Sequence, residues 1–245
     1  RNLGGGRFEN ITGRARVAVR ERISVTASFA DIDNDGDADL YVTTVRGGNV
    51  LFENDGTGVF TDISTNAGVG YKGHSSGAVF FDYNRDGRLD LFLLNVGIYT
   101  TDEVVTVVND SFTGPDTAQY SYYRSTPDAF NRHTKPELSE PSILFQNQGD
   151  NRFLDVTDQV GLKDASWSGD ASPLDANSDG WPDLYLANMQ GHDQYFENVE
   201  GRHFLKKSRQ LFPATPWGTM GIKVFDFDND GHMDIYLTDM HTDMW

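Results

Sequence analysis

The sequence predicts an all-β fold, and three observations predict it. Short runs of aliphatic and aromatic residues are bounded by turn-forming residues, which is typical of strands. The 25 glycines interrupt every segment that has the apolar period of a helix. An acidic loop recurs four times, and an apolar run such as residues 40–42 or 184–186 follows it each time. A chain built this way consists of hairpins.

Each acidic loop has nine positions, with oxygen-bearing side chains at 1, 3, 5 and 9 and a glycine at 6. A hard cation such as calcium takes six to eight oxygen ligands at about 2.3–2.6 Å, and the glycine allows the sharp turn that brings them together. Position 7 varies, as expected if only its backbone carbonyl is a ligand. The sequence therefore predicts four Ca²⁺ sites. Their predicted ligands are Asp31, Asp33, Asp35, Asp37 and Asp39 in loop 1; Asp82, Asn84, Asp86, Arg88 and Asp90 in loop 2; Asp175, Asn177, Asp179, Trp181 and Asp183 in loop 3; and Asp226, Asp228, Asp230, His232 and Asp234 in loop 4.

The loops differ from an EF-hand, which begins the same way but ends in a bidentate glutamate at position 12. Position 12 is apolar in every copy, and the residues are Val42, Leu93, Leu186 and Leu237. Strand-like residues also precede the loops. Each ion is therefore expected to close a strand–loop–strand hairpin, where an EF-hand would join two helices.

The loop belongs to a longer repeat, because the first aspartates of the four loops are 51, 93 and 51 residues apart. The repeat is therefore about 51 residues long, and one copy contains an insertion. A second pair of short strands around an Asn/Asp/Gly turn follows, as in residues 51–64 and 144–157. Four strands in about 50 residues predict the blade of a β-propeller. The predicted blades are 28–65, 78–158 and 171–208, with the end of a blade at 1–12, the start of another at 222–245 and an insertion at 98–141.

The repeat pattern resembles the FG-GAP/VCBS repeats of integrin-type β-propellers. Within that superfamily it is most similar to the ASPIC/UnbV group. Residues 217–221, before loop 4, and residues 239–245, after it, carry this similarity. The resemblance covers nearly the whole chain except the insertion. It implies a propeller of four-stranded blades with one calcium loop per blade.

The two ends of the chain carry complementary halves of a blade. Joining residues 1–12 to 222–245 would close a four-bladed ring. The alternative is a fragment of a seven- or eight-bladed ring. We expect the fragment, because the chain begins without methionine and stops directly after a strand.

Composition narrows the classes of partner and the location. The net charge of −17 disfavours nucleic acid as a partner. The sequence contains no apolar run of about 18 residues, so it predicts no membrane span. The absence of cysteine excludes disulfides, a thiol nucleophile and a cysteine zinc site. Together with calcium loops, it favours a secreted protein of the extracellular space or cell envelope, of bacterial origin.

Residues 73–77 match the G-x-S-x-G pattern of a nucleophile elbow, which needs a strand before it and a helix after it. Here a strand and a calcium loop follow. The sequence therefore favours an entry turn of a blade over a catalytic serine, and no catalytic residue is predicted.

The insertion is the predicted partner surface, because long loops on a rigid scaffold often carry function and Tyr and Arg are enriched at interfaces. The alternative, which the sequence leaves open, is a tolerated insertion that only covers an adjacent blade. The predicted contact residues are Tyr122, Tyr123, Arg124 and Phe130. We expect a non-enzymatic scaffold that binds a protein or glycan, or copies of itself in a homo-oligomer or filament. The alternative is a carbohydrate-active propeller, either a lectin or a polysaccharide lyase.

Overall fold

The computed structural model describes residues 1–109, 118–129, 135–164 and 166–240. These residues form antiparallel sheets with few helical turns, so the all-β prediction is confirmed. The helical segments in this part are single turns: α1 (Thr12–Ala15), α2 (Ser64–Ala67), α3 (Thr157–Val160), α4 (Ser208–Leu211) and a 3-10 turn at Pro136–Leu138. None of the described helices has the length and apolar character that crossing a membrane requires.

The strands follow the repeat of the sequence. In chain order they are β1 (Asn2–Gly4), β2 (Arg7–Phe8), β3 (Ile23–Ala30), β4 (Asp39–Val45), β5 (Val50–Asn54), β6 (Phe60–Asp62), β7 (Ser75–Phe81), β8 (Asp90–Asn95), β9 (Thr100–Asn109), β10 (Ala118–Ser125), β11 (Ile143–Asn147), β12 (Phe153–Asp155), β13 (Trp167–Leu174), β14 (Asp183–Gln190), β15 (Gln194–Val199), β16 (His203–Lys206), β17 (Thr219–Phe225) and β18 (Asp234–Asp239).

Three of the sheets have four strands and the same order. The first sheet is β3-β4-β5-β6, the second β7-β8-β11-β12 and the third β13-β14-β15-β16. The hairpin β9–β10 is inserted between β8 and β11. The strands β1–β2 and β17–β18 form two separate two-stranded sheets, so the described residues do not join the two ends of the chain into a closed four-bladed ring.

The first strand of each sheet begins earlier than the sequence pattern indicated. β3 begins at Ile23, β7 at Ser75 and β13 at Trp167. Each has a register shift against its neighbour, for example between Ser24 and Ala27. A bulge of this kind lets pairing continue past an extra residue. The added residues of β7 and β13 are mostly small or polar, so an apolar pattern did not reveal them. Those of β3 alternate between apolar and polar residues, but the bulge between Ser24 and Ala27 interrupts the strand there.

The sheets pack face to face in the order of the chain. Alternate residues of β8 point to opposite sides, so Leu91 and Leu93 pack against the first sheet while Phe92 and Leu94 pack against the third. The third sheet packs in turn against β17–β18. The central strands read as uninterrupted apolar runs because both of their faces are buried. This stacking brings the acidic loops of neighbouring sheets side by side.

Candidate metal centres

Each acidic loop connects the first two strands of its sheet and has the same backbone turn. The glycine at position 6 has φ between 85° and 94° in all four copies. Position 4 is also left-handed, with Asn34, Arg85, Ser178 and Asn229 at φ of 64°, 56°, 59° and 61°. Asn is among the residues that tolerate this region, whereas Arg adopts it at a cost. The sequence pattern did not single out position 4, because its residue type varies.

This turn directs backbone N–H groups at the carboxylate of position 1. The N–H of position 5 donates to one oxygen at 3.0–3.2 Å, and the N–H of position 6 donates to the other at 2.8–3.0 Å, in every loop. Asp31 accepts from Asp35 and Gly36, Asp82 from Asp86 and Gly87, Asp175 from Asp179 and Gly180, and Asp226 from Asp230 and Gly231. Position 1 is thereby held in one orientation.

The carboxylate of position 9 lies at the base of the loop and is buried in the three complete sheets. Asp90 is a representative case: its two oxygens accept from the N–H of Tyr83 at 3.1 Å and of Asn147 at 2.8 Å. Asp39 and Asp183 accept the same pair of bonds. In loop 4, Asp234 accepts from Phe227 and is partly exposed.

Burial controls the protonation of these three carboxyl groups. It raises the pKa of Asp39 to about 6 and that of Asp90 to about 7, although the backbone N–H donors oppose the shift. Burial also raises the pKa of Asp183, while the hydroxyl of Tyr195, which donates at 2.6 Å, lowers it. A cation bound beside these groups would favour their charged form.

Positions 1, 3 and 9 converge. In loop 1, oxygens of Asp31, Asp33 and Asp39 lie within 4.8 Å of one another, and in loop 4 the equivalent three aspartates do the same. Loops 2 and 3 have Asn84 and Asn177 at position 3, where the amide contributes one oxygen. These acidic clusters could hold a metal ion.

Position 5 is not part of the converging groups in loops 1 and 4. Its carboxylate instead accepts the N–H of position 7 at 2.8–3.0 Å in all four loops. In loop 2 the guanidinium of Arg88 also donates to Asp86 at 2.8 Å. Loop 2 therefore has a guanidinium group at position 7. The same position is occupied by Asp37 in loop 1, Trp181 in loop 3 and His232 in loop 4.

The donor set fits a hard cation. The converging groups offer oxygen atoms, which calcium and similar ions prefer over nitrogen and sulfur. In loop 1 the Oδ1 atom of Asp37 is buried without a hydrogen-bond partner among the described residues. Burial and the charges of Asp35, Asp33 and Asp31 raise the pKa of this carboxyl group. Such crowding of carboxylates is unfavourable unless a cation or a proton neutralises it.

An asparagine at the end of the third strand connects the second and the third sheet to the loop of the preceding repeat, and sequence reasoning missed this role. Asn147 donates from its side chain to the carbonyl of Ile32 at 2.7 Å, and Asn198 donates to that of Tyr83 at 2.8 Å. Each bond joins one repeat to the loop of the preceding repeat. The only signal in the sequence is the recurrence of asparagine after Leu-Phe or Tyr-Phe.

Three of the four predicted partner residues, Tyr122, Tyr123 and Arg124, lie on the second strand of the inserted hairpin. Tyr122 is 45% exposed. Tyr123 lies against the guanidinium of Arg46, 5.6 Å from the ring centre, and Arg124 forms an ion pair with Glu103 at 2.9 Å. Phe130 lies outside the described residues. The structure thus presents Tyr122 to solvent and packs Tyr123 against the same chain.

The candidate nucleophile elbow forms part of a polar network between sheets. Ser75 is 2% exposed, donates its hydroxyl to Asn95 at 2.8 Å and accepts from the amide of Asn49 at 2.9 Å. The ring of His74 contacts Glu140 at 2.8 Å and Thr100 at 2.7 Å. Ser75 therefore bonds the second sheet to the turn that contains Asn49 in the first, and His74 bonds it to the base of the insertion.

A family model described as FG-GAP-like repeat matches residues 31–93 and 175–237. Both matched ranges begin at position 1 of one acidic loop and end at position 12 of the next. The match includes all four candidate metal centres and half of the chain.

The chain is also similar to cartilage acidic protein 1 of three vertebrates. It is 39% identical to the Xenopus tropicalis protein over 104 residues, and 35% identical to the Mus musculus and Homo sapiens proteins over 103 residues. Each match covers 41% of this chain but only 16% of the relative. These relatives give no support to the bacterial origin that the absence of cysteine favoured.

Proposed function

The chain belongs to the FG-GAP-like repeat family, and on that premise we propose that it is a calcium-binding β-propeller segment that acts as an extracellular interaction scaffold. The proposal has three parts, which are the propeller, the calcium sites and the partner surface. Similarity to cartilage acidic protein 1 is consistent with such a scaffold.

The propeller is supported by three sheets of identical strand order that stack face to face in chain order. Repeated sheets that contact only their neighbours are the architecture of propeller blades. In this proposal the hairpin β17–β18 is the beginning of a further blade and β1–β2 is the end of another.

Support for calcium binding comes from one observation: the oxygens of positions 1, 3 and 9 converge in loops 1 and 4, and loops 2 and 3 have the same turn and the same backbone hydrogen bonds. We propose that the ligands are the side chains of positions 1, 3, 5 and 9 and the carbonyl of position 7, as predicted from the sequence. Loops 1 and 4 have an aspartate at each of these four side-chain positions and should bind more tightly. Loop 2 has an asparagine and the guanidinium of Arg88 beside Asp86, so it should bind more weakly.

Calcium titration by calorimetry on the calcium-free protein tests this part. We expect binding at several sites, and the double substitution Asp31→Asn/Asp33→Asn should remove one tight site without unfolding the protein. Asp158→Asn is the matched control, because this exposed aspartate pairs with Lys163 outside the loops. Absence of calcium binding at millimolar ion would contradict the proposal.

The partner surface is proposed to be the inserted hairpin. It lies at the opposite end of the second sheet from loop 2, because it replaces the turn between the second and third strands. A partner there would leave the calcium loop accessible. A glycan is the second class of partner, favoured by Tyr122, whose exposed ring could stack on a sugar.

Calcium sites of this kind also bear on location. Modules of the extracellular space use sites that fill at millimolar calcium, whereas the cytosol keeps calcium far lower. We therefore propose an extracellular location for the protein.

A further inference from the structure

A continuous path of hydrogen bonds links loop 1 to loop 2. It begins at position 9 of loop 1, where Asp39 accepts the N–H of Ile32 at 3.0 Å. The carbonyl of Ile32 accepts the side-chain amide of Asn147 at 2.7 Å. The backbone N–H of Asn147 donates to Asp90, position 9 of loop 2, at 2.8 Å.

The same path continues from loop 2 to loop 3. Asp90 accepts the N–H of Tyr83 at 3.1 Å, and the carbonyl of Tyr83 accepts the amide of Asn198 at 2.8 Å. The N–H of Asn198 then donates to Asp183 at 2.8 Å. Every residue of the path is at most 4% exposed. Water therefore cannot replace these bonds, and breaking one leaves a buried polar group unsatisfied.

We propose that Asn147 and Asn198 are positioning residues that couple cation binding at neighbouring loops. The inference rests on the proposed function of the loops. An ion that orders one loop fixes the peptide at position 2, whose carbonyl orients the asparagine of the next repeat. That asparagine holds the position-9 carboxylate of its own loop, so part of the ordering cost of the next loop is already met. Such coupling is reciprocal between the two loops.

The chain contains its own control for this role. Asn54 is the equivalent residue of the first sheet and makes the same contacts within its repeat. Its N–H donates to Asp39 at 2.8 Å and its side chain donates to the carbonyl of Ala38 at 3.1 Å. In the described part of the chain, Asn54 has no hydrogen bond to another acidic loop. Asn54→Ala therefore removes the contact within a repeat but no contact between repeats.

Exposed contacts also join adjacent loops and must be separated from the buried path. Arg85 of loop 2 lies over the ring of Trp181 in loop 3 at 5.2 Å, and the side chain of Asn34 donates to Gly87 at 3.0 Å. Water competes for contacts at the surface, so we expect them to contribute less than the buried bonds. Arg85→Ala tests this directly.

Trp181 makes ion binding at loop 3 observable. It occupies position 7 of the loop and is the only tryptophan in the four acidic loops. Excitation of tryptophan should sensitise luminescence of terbium, which substitutes for calcium in oxygen sites. Because the ring of Trp181 also lies beside Arg85 of loop 2, the loop 3 variant Asp175→Asn/Asp179→Asn identifies the part of the signal that comes from loop 3. Trp181→Phe verifies the origin of the signal. The double substitution Asp82→Asn/Asp86→Asn disables loop 2, and the measured quantity is the terbium midpoint at loop 3 with loop 2 intact or disabled.

We expect the midpoint at loop 3 to rise about threefold to tenfold when loop 2 is disabled, at a salt concentration that screens the removed charge. Asn198→Ala should abolish most of this difference, whereas Asn54→Ala and Arg85→Ala should preserve it. Asn198→Ser provides a second variant if the alanine variant does not fold, since serine is too short to reach Tyr83.

Two results would overturn the inference while leaving the proposed function intact. One is an undiminished difference in the Asn198 variants, and the other is an equal loss in Asn54→Ala or Arg85→Ala. If the unmodified protein gives no luminescence that depends on Trp181, loop 3 does not bind the ion and the inference fails, while calorimetry on loops 1 and 4 decides the proposed function separately.

Discussion

The aspartate at position 9 combines two requirements that conflict in the absence of a cation. In loop 2, Asp90 is buried and holds the loop to the sheet, whereas a carboxylate has to be charged to bind a cation of the proposed kind. Burial raises its pKa to about 7, so near neutral pH a large fraction of this group is protonated when no ion is present. A cation and a proton thus compete for the same oxygen atoms.

The calcium-free protein should lose stability as pH rises from about 4 to 7. The folded-state pKa values of Asp39 and Asp90, about 6 and about 7, lie above the value of 3.8 for a free aspartate. In that range the folded state binds more protons than the unfolded state, so the free energy of unfolding falls with increasing pH. Urea denaturation in metal-free buffer at pH 5 and pH 7.5 measures the difference.

Asp90→Asn is the control for this prediction, because asparagine has no titrating proton. The variant should reduce the difference between the two pH values. Calcium at saturation should remove it or reverse its sign, since the ion binds only the charged carboxylates. A metal-free protein that is more stable at pH 7.5 than at pH 5 would contradict the assignment of these groups.

At the scale of residues, the sequence indicated the loop but not what anchors it. Regular spacing around a glycine was enough to identify the acidic positions, because their contacts are local. Asn147 could not be identified in this way, because its partner Ile32 lies 115 residues away and the contact exists only after two sheets have packed. The ligand role of the loop residues stays a prediction.

The strands show which elements a sequence pattern can identify. The second strand of each sheet was evident, because it is buried on both faces and reads as a continuous apolar run. The first strands were predicted too short, since each contains a bulge near its start and the early residues of β7 and β13 are mostly small or polar. The sequence also did not predict β9 and β10, which form a two-stranded ribbon with an exposed face and no uniform apolar side.

The inserted hairpin should be separable from the calcium sites. Replacing residues 103–124 with a short Gly-Ser turn should leave calcium binding unchanged and abolish partner binding. This deletion keeps Thr100, Thr126 and Glu140, which hold the base of the insertion to Tyr99 and His74. Calorimetry with calcium and a pull-down or sedimentation assay for assembly measure the two outcomes.

Two single substitutions refine this experiment. Tyr122→Ala should weaken partner or glycan binding without changing stability, because the ring is exposed. Tyr123→Ala should instead loosen the hairpin, because Tyr123 packs against Arg46, and Arg46 also pairs with Asp102. If the hairpin deletion unfolds the protein or leaves binding intact, the hairpin is a structural cover and not a partner surface.

The molecule as a whole should depend on calcium for thermal stability. Binding to the folded state alone adds about 2.7 kcal/mol per site at a hundredfold excess of ion over Kd. For a chain of this size, that corresponds to a rise in Tm of about 5–10 °C for each filled site. Differential scanning calorimetry with and without EDTA should show a lower Tm after chelation.

Asp31→Asn/Asp33→Asn provides the control for this effect. It should lower the Tm in calcium, because one site is lost. It should change the Tm in EDTA little or raise it, because it also removes repulsion between carboxylates. An unchanged Tm after verified chelation would show that the loops fold without an ion.

The position of the inserted hairpin has a practical consequence for engineering. It replaces the turn between the second and third strands, and these strands, β8 and β11, still pair directly with each other. The other two sheets have short turns at the same place, at Gly47 and Gly48 and around Gly191. These turns face away from the acidic loops. They are therefore natural sites for grafting binding loops onto a scaffold whose cation sites, at the opposite end, would be left undisturbed.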